Sequence, residues 1–444
     1  MSFDSEPGRP KEEPAGQDPD AEKASDDENE GGCACSGDAG ELVKIVNALL
    51  LGAISQKATA IHIEPCAGPA EKDSKVILRY RVDGRLVPAP FTIPWVYRNA
   101  VLARLKIMSN SMDIAERRFP QHGRIALLAK GERVDFHVET APTPAGESCV
   151  MRVLRHQEAT LSIQDLGLLP DTQEKLLGLL KDTGGRRNTG VVLVCGTAGS
   201  GRHTTLYSIL NQLARPELKI VTAECPVRRK LDGVVQLEVN PGAGMEGSGR
   251  FDFATALRSI LRQDPDVIMI EELGDFQTAE LIVKAAVAGH LVFTTVHTPD
   301  APSALRRLVE MGLPPYMLAA GLRAALAQRL VRRLCPHCRA PRPPTAAEAA
   351  AFKTYQVPLP EGTKLHEPSH SSGCASCHGL GFAGLVGLQE LLIVSEQLRG
   401  GLAVATAWAP MRELAARDVP RTLVQDGLEK AKLGWTTVSE VLGD

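Results

Sequence analysis

The chain has 444 residues, of which 43% are hydrophobic and only 4% aromatic, so it is long enough for two or three domains with aliphatic cores. Its 53 acidic and 50 basic residues leave a formal charge of −3, and no basic stripe is interleaved with aromatic residues, which argues against nucleic-acid binding. The apolar runs are too short to span a bilayer, no signal peptide is recognisable, and the ten cysteines suit a reducing compartment. We therefore expect a cytoplasmic protein that reaches the inner membrane only through its partners.

Residues 1–41 are predicted to be an acidic, disordered tail. Residues 1–40 carry twelve acidic and three basic side chains and are rich in Pro, Gly and Ser. Such a composition buries too little apolar surface to offset the entropy lost on ordering.

Residues 42–156 have the pattern of an α+β domain. Apolar residues recur at helical spacing in Leu42–Ser55 and Val96–Ile107. Aliphatic or alternating runs predict strands, with a hairpin turn at Asp83-Gly84, over Ala60–Pro65, Val76–Val82, Arg124–Leu128, Arg133–Thr140 and Ser148–Leu154. Residues 157–189 are a predicted linker that contains one helical pattern.

Residues 190–333 alternate short aliphatic runs with helical patterns. This alternation is typical of a parallel sheet whose strands are covered on both faces. The predicted strands are Val191–Cys195, Ile220–Ala223, Val267–Ile270 and Leu291–Val296. The segment is therefore predicted to be an α/β core.

A glycine-rich loop lies between the first of these strands and the helical pattern Thr204–Leu213. Glycines let backbone N–H groups turn around an anion, and the helix N-terminus adds a favourable dipole. The context and spacing predict a phosphate-binding loop of the form Gly-x-x-x-x-Gly-Lys-Ser/Thr. The residues predicted to bind nucleotide are Gly196, Thr197, Ala198, Gly199, Ser200, Gly201, Arg202, His203 and Thr204.

Two residues depart from that form. Arg202 stands where the lysine is expected, and His203 where a hydroxyl is expected to bind Mg²⁺. Arginine is a wide planar fork rather than a point charge, and magnesium prefers oxygen to imidazole nitrogen. Thr204 offers a hydroxyl, but it lies about 100° further round the helix. The alternative is that the glycines only form a tight turn between strand and helix.

The strand Val267–Ile270 ends in two acidic residues, Glu271 and Glu272. An acid at this place suits the catalytic glutamate of an ATPase, and we assign Glu272 to activate or orient the attacking water. His297, at the end of another buried strand, is a candidate sensor of the terminal phosphate. The alternatives are two solvated loop acids and a histidine that is satisfied by its neighbours.

Residues 334–384 interrupt the α/β pattern with two Cys-x-x-Cys pairs. Four thiolates at this spacing predict the closed tetrahedral site of a structural Zn²⁺ ion, with ligands Cys335, Cys338, Cys374 and Cys377. His337 and His378 are competing ligands that the regular cysteine spacing disfavours. Residues 385–444 are predicted to be a helical C-terminal subdomain.

Five sequence blocks, taken together and in order, resemble the bacterial type II secretion and type IV pilus assembly ATPases. They are residues 60–65 with 80–84, 112–124, 196–207, 257–270 and 288–298. The resemblance covers residues 42–444. It implies a RecA-like P-loop NTPase core, preceded by an α+β domain and followed by a zinc module and a helical segment. It further implies a homo-hexamer that holds ATP and Mg²⁺ between the two domains and works with inner-membrane platform and docking proteins.

The same resemblance implies roles for single residues. Glu224, Glu272 and His297 match catalytic positions. Arginines at the nucleotide or subunit interface are implied at Arg118, Arg124, Arg258 and Arg262. The chain departs from the family's pattern close to the nucleotide site, at Arg202, His203, Cys225, Glu271 and Gly274.

Two hypotheses about function follow. The first is an active motor that couples ATP hydrolysis to pilin or pseudopilin assembly and protein export, and the zinc module favours assembly over retraction. The second is a degenerate subunit with weakened or lost hydrolysis, which acts as a structural or regulatory component of the ring. Glu272 and His297 favour the first hypothesis, whereas Arg202 and His203 favour the second.

Overall fold

The computed structural model of the protein describes residues 37–70, 73–129, 132–155, 161–181, 188–239, 251–369, 374–377, 379–405, 408–409 and 411–443. Most of the predicted acidic tail, parts of the predicted linker and His378 lie outside these ranges. Among the described residues, no helix combines the length and the apolar character needed to cross a membrane.

The α+β domain is built on one antiparallel sheet of six strands. The strands are β1 Ala60–Cys66, β2 Lys75–Val82, β3 Arg85–Pro88, β4 Gln121–Ala129, β5 Glu132–Thr143 and β6 Gly146–Arg155, in the spatial order β3-β2-β1-β6-β5-β4. Helices α1 Gly37–Ser55 and α2 Arg98–Ser109 contribute to its apolar core. The Tyr80 hydroxyl donates a hydrogen bond of 3.0 Å to the Leu49 carbonyl, which fixes α1 on β2. The strands predicted in this region are confirmed.

The second sheet has seven strands and forms the core of the α/β region. The remaining strands are β7 Gly190–Cys195, β8 Ile220–Glu224, β9 Val234–Glu238, β10 Val267–Ile270, β11 Leu291–Val296, β12 Leu322–Leu334, β13 Ala340–Arg342, β14 Leu365–Glu367 and β15 Phe382–Ile393. The order in the large sheet is β15-β12-β7-β11-β10-β8-β9. All its pairs are parallel except β15 with β12. The four strands predicted here are confirmed, and β13 pairs with β14 in a small separate sheet.

Eleven further helices in the described residues cover these strands. They are α3 Pro170–Leu180, α4 Arg202–Leu213, α5 Phe253–Ile260, α6 Phe276–Val287, α7 Ala301–Glu310, α8 Pro315–Gly321, α9 Ala346–Thr354, α10 Glu396–Val404, α11 Met411–Arg417, α12 Leu423–Lys432 and α13 Val438–Leu442. Three core helices begin at an aspartate N-cap, because its carboxylate accepts a backbone N–H that the first helical turn leaves without a partner. Asp252, Asp275 and Asp300 accept such bonds over 2.8, 2.8 and 2.7 Å.

The prediction that residues 385–393 are helical is wrong. These residues belong to β15, which pairs with β12 along most of its length and forms one edge of the core sheet. The run is mostly apolar, with Gln389 and Glu390 buried inside it, and such a pattern does not distinguish a buried strand from a buried helix by its periodicity. Helices α10–α13 follow the strand, so the C-terminal segment is helical only from Glu396 onward.

Candidate functional site

The glycine-rich loop connects the end of β7 to the start of α4. Gly199 and Gly201 have φ values of 78° and 85°, in the left-handed region that glycine adopts without strain. At Gly196 a Cβ atom would collide with the Ser200 side chain and the Gln328 carbonyl. The loop therefore requires its glycines for shape, and it presents backbone amides and a helix N-terminus to the space in front of it.

A cavity of about 860 Å³ opens in front of this loop, between the core and the α+β domain. The α+β domain contributes Lys57, Ala58, Thr59 and Val153 to its wall. Of the residues predicted to act at the site, it brings together Ala198, Gly199, Ser200, Gly201, Arg202, His203, Thr204, Glu272 and His297. The volume lies in the range of small-molecule sites, so the cavity is large enough for a nucleotide.

Arg202 lies at the wall of the cavity, with most of its side chain packed into the protein. Its side chain is buried, and its Nη1 donates to the Val296 carbonyl over 3.2 Å. Its Nη2 lies 2.9 Å from His297 Nε2. Arginine has only donors, so His297 Nε2 must be the acceptor in this contact. The Arg202 guanidinium is thus held by hydrogen bonds at the end of β11.

His297 is neutral in this arrangement, with its ring hydrogen on Nδ1. Burial and the neighbouring Arg202 guanidinium lower the pKa of His297, although Glu272 acts in the opposite direction. Glu272 Oε1 lies 3.4 Å from His297 Nε2, and about half of the Glu272 side chain is exposed. Because Nε2 carries no hydrogen, it does not donate to Glu272, and the half-exposed carboxylate lies at the wall of the cavity without a hydrogen bond from His297.

His203 forms a pair with Glu271. His203 Nε2 donates to Glu271 Oε1 over 2.8 Å, and Arg228 Nη2 donates to the same oxygen over 3.1 Å. The backbone N–H of Cys225 donates to Glu271 Oε2. Burial acts to raise the pKa of Glu271, but the hydrogen bonds from His203 and Cys225 outweigh it and lower the pKa. Glu271 is therefore a buried carboxylate ion beside the phosphate loop.

Sequence reasoning missed the functional importance of Glu271 and Arg228. Glu271 stood out only as a departure from the family's pattern, and no sequence pattern gave Arg228 a role. The signal was present in the charges: an acid appears at 271 while a titratable base appears at His203. Two substitutions of complementary charge at one site indicate a contact between them.

Glu224 lies outside the cavity. It is buried at the end of β8, where it accepts hydrogen bonds from the Tyr207 hydroxyl, from Thr222 Oγ1 and from Gln236 Nε2. These bonds join α4 to β8 and β9, so in this structure Glu224 supports the loop from behind.

The four predicted interface arginines also lie outside the cavity of their own chain. Arg118 is exposed and contacts Glu116 over 3.3 Å, and Arg124 pairs with the buried Asp135. Arg258 and Arg262 are exposed at and just after α5. Their assignment to a nucleotide or subunit interface stays a prediction.

The four predicted zinc ligands converge at one point beyond β12. Their Sγ atoms all lie within 4.8 Å of one another, with 3.7 Å between Cys335 and Cys374 and 3.5 Å between Cys338 and Cys377. Zn–S bonds of about 2.3 Å in a tetrahedron place sulfurs about 3.8 Å apart, so the cluster fits a zinc ion. His337 is exposed and is not part of the cluster.

Comparison with known proteins agrees with this architecture. The family model "Type II/IV secretion system protein" matches residues 36–443. The chain is 39% identical over 407 residues to the type II secretion system protein HxcR of Pseudomonas aeruginosa, covering 91% of this chain and 77% of that protein. It is 38% identical over 399 residues to the type IV pilus assembly ATPase PilB of Thermus thermophilus, covering 90% of this chain and 42% of that protein.

Solved structures support the fold. The Legionella pneumophila ATPase DotB has a TM-score of 0.61 at 17% identity, covering 90% of this chain and 94% of DotB. The pilus retraction motor PilT with bound ADP has a TM-score of 0.55 at 21% identity, with 90% and 96% covered. The predicted RecA-like core with a preceding α+β domain is confirmed. The matches in sequence and fold show that this chain belongs to the type II/IV secretion system protein family.

Proposed function

We propose that the chain is a nucleotide-binding motor subunit of a type II secretion or type IV pilus assembly system. In this proposal six copies form a ring at the cytoplasmic face of the inner membrane, held there by platform and docking proteins, without nucleic acid. ATP hydrolysis in the ring drives the assembly of pilin or pseudopilin subunits and protein export. The relatives that carry names of both systems support the general assignment, and neither system is singled out.

The observation that carries the proposal is the cavity where the phosphate loop, Glu272 and His297 meet. The loop amides and the N-terminus of α4 would hold the phosphates, because both present N–H groups to an anion. Glu272, half exposed beside the neutral His297, would accept a proton from the attacking water. The four-cysteine cluster would hold a structural Zn²⁺ ion through Cys335, Cys338, Cys374 and Cys377.

One observation favours the second function, a structural or regulatory ring component. Arg202 is buried against Val296 and His297, so the loop lacks a cation that reaches toward the terminal phosphates. In the transition state, negative charge spreads over the transferred phosphoryl group. If Arg202 stays bound to Val296 and His297, it would not stabilise that charge.

Turnover of ATP by the purified full chain decides between the two functions. We expect slow hydrolysis that falls about 100-fold or more in Glu272→Gln, because the amide does not accept the proton of the water. The matched control is Glu280→Gln on α6, whose carboxylate pairs with Lys284 at the surface and does not line the cavity. The measurement is phosphate release at protein concentrations that permit assembly.

Each other outcome has a defined meaning. Equal turnover in the wild type and Glu272→Gln would remove Glu272 from its catalytic role. The absence of turnover and of nucleotide binding in the wild type would replace the motor by the structural or regulatory component.

A further inference from the structure

The hydroxyl that normally holds the metal of a phosphate loop is absent from this site. In Gly-x-x-x-x-Gly-Lys-Ser/Thr loops the last residue binds Mg²⁺ through its side-chain oxygen. His203 occupies that position, and its Nε2 already donates to Glu271 over 2.8 Å. Magnesium requires near-octahedral oxygen ligands at about 2.0–2.1 Å and does not replace them readily by imidazole. The residues present therefore do not fit Mg²⁺ in its usual place.

In the described residues, no group of three or more His, Cys, Asp or Glu ligands lies at the loop to compensate for the missing hydroxyl. The four cysteines are the one group in that part of the chain with three or more His, Cys, Asp or Glu ligand atoms close enough to share an ion. Glu272 Oε1 lies 3.4 Å from Nε2 of the neutral His297, and Glu271 accepts a hydrogen bond from His203. Each carboxylate thus contacts a different histidine.

Positive groups of the protein occupy the same region instead. Arg228 donates to Glu271 over 3.1 Å, and 44% of its side chain remains exposed at the wall of the cavity. Glu271 Oε1 accepts hydrogen bonds from both His203 and Arg228. It therefore holds these two donors close together beside the loop. Arg229 and Lys57 add further positive charge to the wall.

We propose that the cluster of His203, Glu271 and Arg228 takes the place of the divalent cation, so that this loop binds nucleoside di- or triphosphates without Mg²⁺. The proposal rests on the proposed nucleotide-binding function and specifies its chemistry. Glu271 acts as the internal anion that orients the two donors. Arg228 carries the charge that faces the phosphates, and a guanidinium suits this task because its planar fork matches phosphate oxygens.

The test is a fluorescence titration of the protein with N-methylanthraniloyl-ADP and its ATP counterpart, in magnesium and in magnesium-free buffer. The buffer is cleared of divalent metals over a chelating resin before the protein is added, so that the four-cysteine cluster keeps its zinc ion. We expect the dissociation constant of the wild type to differ by less than about threefold between the two conditions. The double variant His203→Thr/Glu271→Gly restores a hydroxyl and removes the internal anion. Its affinity should become dependent on magnesium by about tenfold or more.

A second variant keeps the test valid if the double variant does not fold. Arg228→Gln changes a surface side chain and should weaken nucleotide binding by about tenfold or more in magnesium-free buffer, because a charge-assisted hydrogen bond is lost. Glu310→Gln, which breaks a surface pair with Arg306 on α7, is the matched control and should bind as the wild type does.

The outcomes separate this inference from the proposed function. A wild-type affinity that falls tenfold or more in magnesium-free buffer would overturn the metal-free site while leaving nucleotide binding intact. Unchanged binding by Arg228→Gln would overturn the role of Arg228. Absence of binding under both conditions would reject the proposed function, and this inference with it.

Discussion

Replacing Cys335 by serine is expected to abolish zinc binding and to unfold the segment between β12 and β15. Cys335 and Cys377 are buried, and all four Sγ atoms lie within 4.8 Å of one another. Structural zinc contributes about 10–16 kcal/mol to the folding of isolated zinc-finger peptides, which is more than the net stability of most domains. Phe352, Val357 and Leu365 give this segment apolar contacts of its own. The contribution of zinc is expected to exceed theirs, so this variant should have the largest effect on local order.

Zinc content and limited proteolysis check this expectation. The wild type should contain one zinc ion per chain by elemental mass spectrometry, whereas Cys335→Ser should contain almost none and be cleaved within the module. Cys66→Ser is the matched control, because Cys66 lies at the end of β1, outside the cluster. His337→Ala should retain zinc, since His337 is exposed. Full zinc occupancy in Cys335→Ser, or its loss in His337→Ala, would contradict the four-cysteine site.

The sequence was sufficient to predict the parts of the fold whose pattern has one physical explanation. Val267–Ile270 is short, aliphatic and fully buried, as a strand covered by helices on both faces must be. The glycines of the phosphate loop were predictable for a similar reason, because Gly199 and Gly201 adopt φ values that other residues avoid. The cysteine pairs were predictable from the ligand spacing of zinc.

The remaining features depend on contacts that no local pattern contains. The mostly apolar sequence of β15 has no period that distinguishes a strand from a helix. Its pairing with β12 is what identifies it as a strand. The contact between His203 and Glu271 spans 68 positions, and the direction of Arg202 depends on the acceptor that His297 offers across the sheet. Spacing along the chain thus identified the loop, Glu272 and His297, but neither the roles of Glu271 and Arg228 nor the contacts between these side chains.

Replacing Lys430 by methionine is expected to destabilise the C-terminal helices by about 3–5 kcal/mol, because it leaves a buried carboxylate without its cation. Asp426 and Lys430 lie at positions i and i+4 of α12, and both side chains are fully buried. Lys430 Nζ donates to Asp426, to the Gly387 carbonyl over 2.7 Å and to Gln389 Oε1, and so joins α12 to β15. Burial raises the pKa of Asp426 and lowers that of Lys430, although their mutual attraction opposes both shifts.

Urea unfolding followed by tryptophan fluorescence measures this loss, since the backbone N–H of Trp435 donates to the Lys430 carbonyl over 2.9 Å. The matched control is Lys284→Met, which breaks the exposed i, i+4 pair with Glu280 on α6 and should cost less than about 1 kcal/mol. The double variant Asp426→Asn/Lys430→Met should recover much of the stability, because asparagine is neutral and still accepts the Gln389 N–H that Asp426 holds over 2.9 Å. Equal losses in Lys430→Met and Lys284→Met would show that the buried pair does not anchor α12. A double variant no more stable than Lys430→Met would show that the cost comes from the lost hydrogen bonds to the Gly387 carbonyl and Gln389 Oε1 rather than from the unpaired carboxylate.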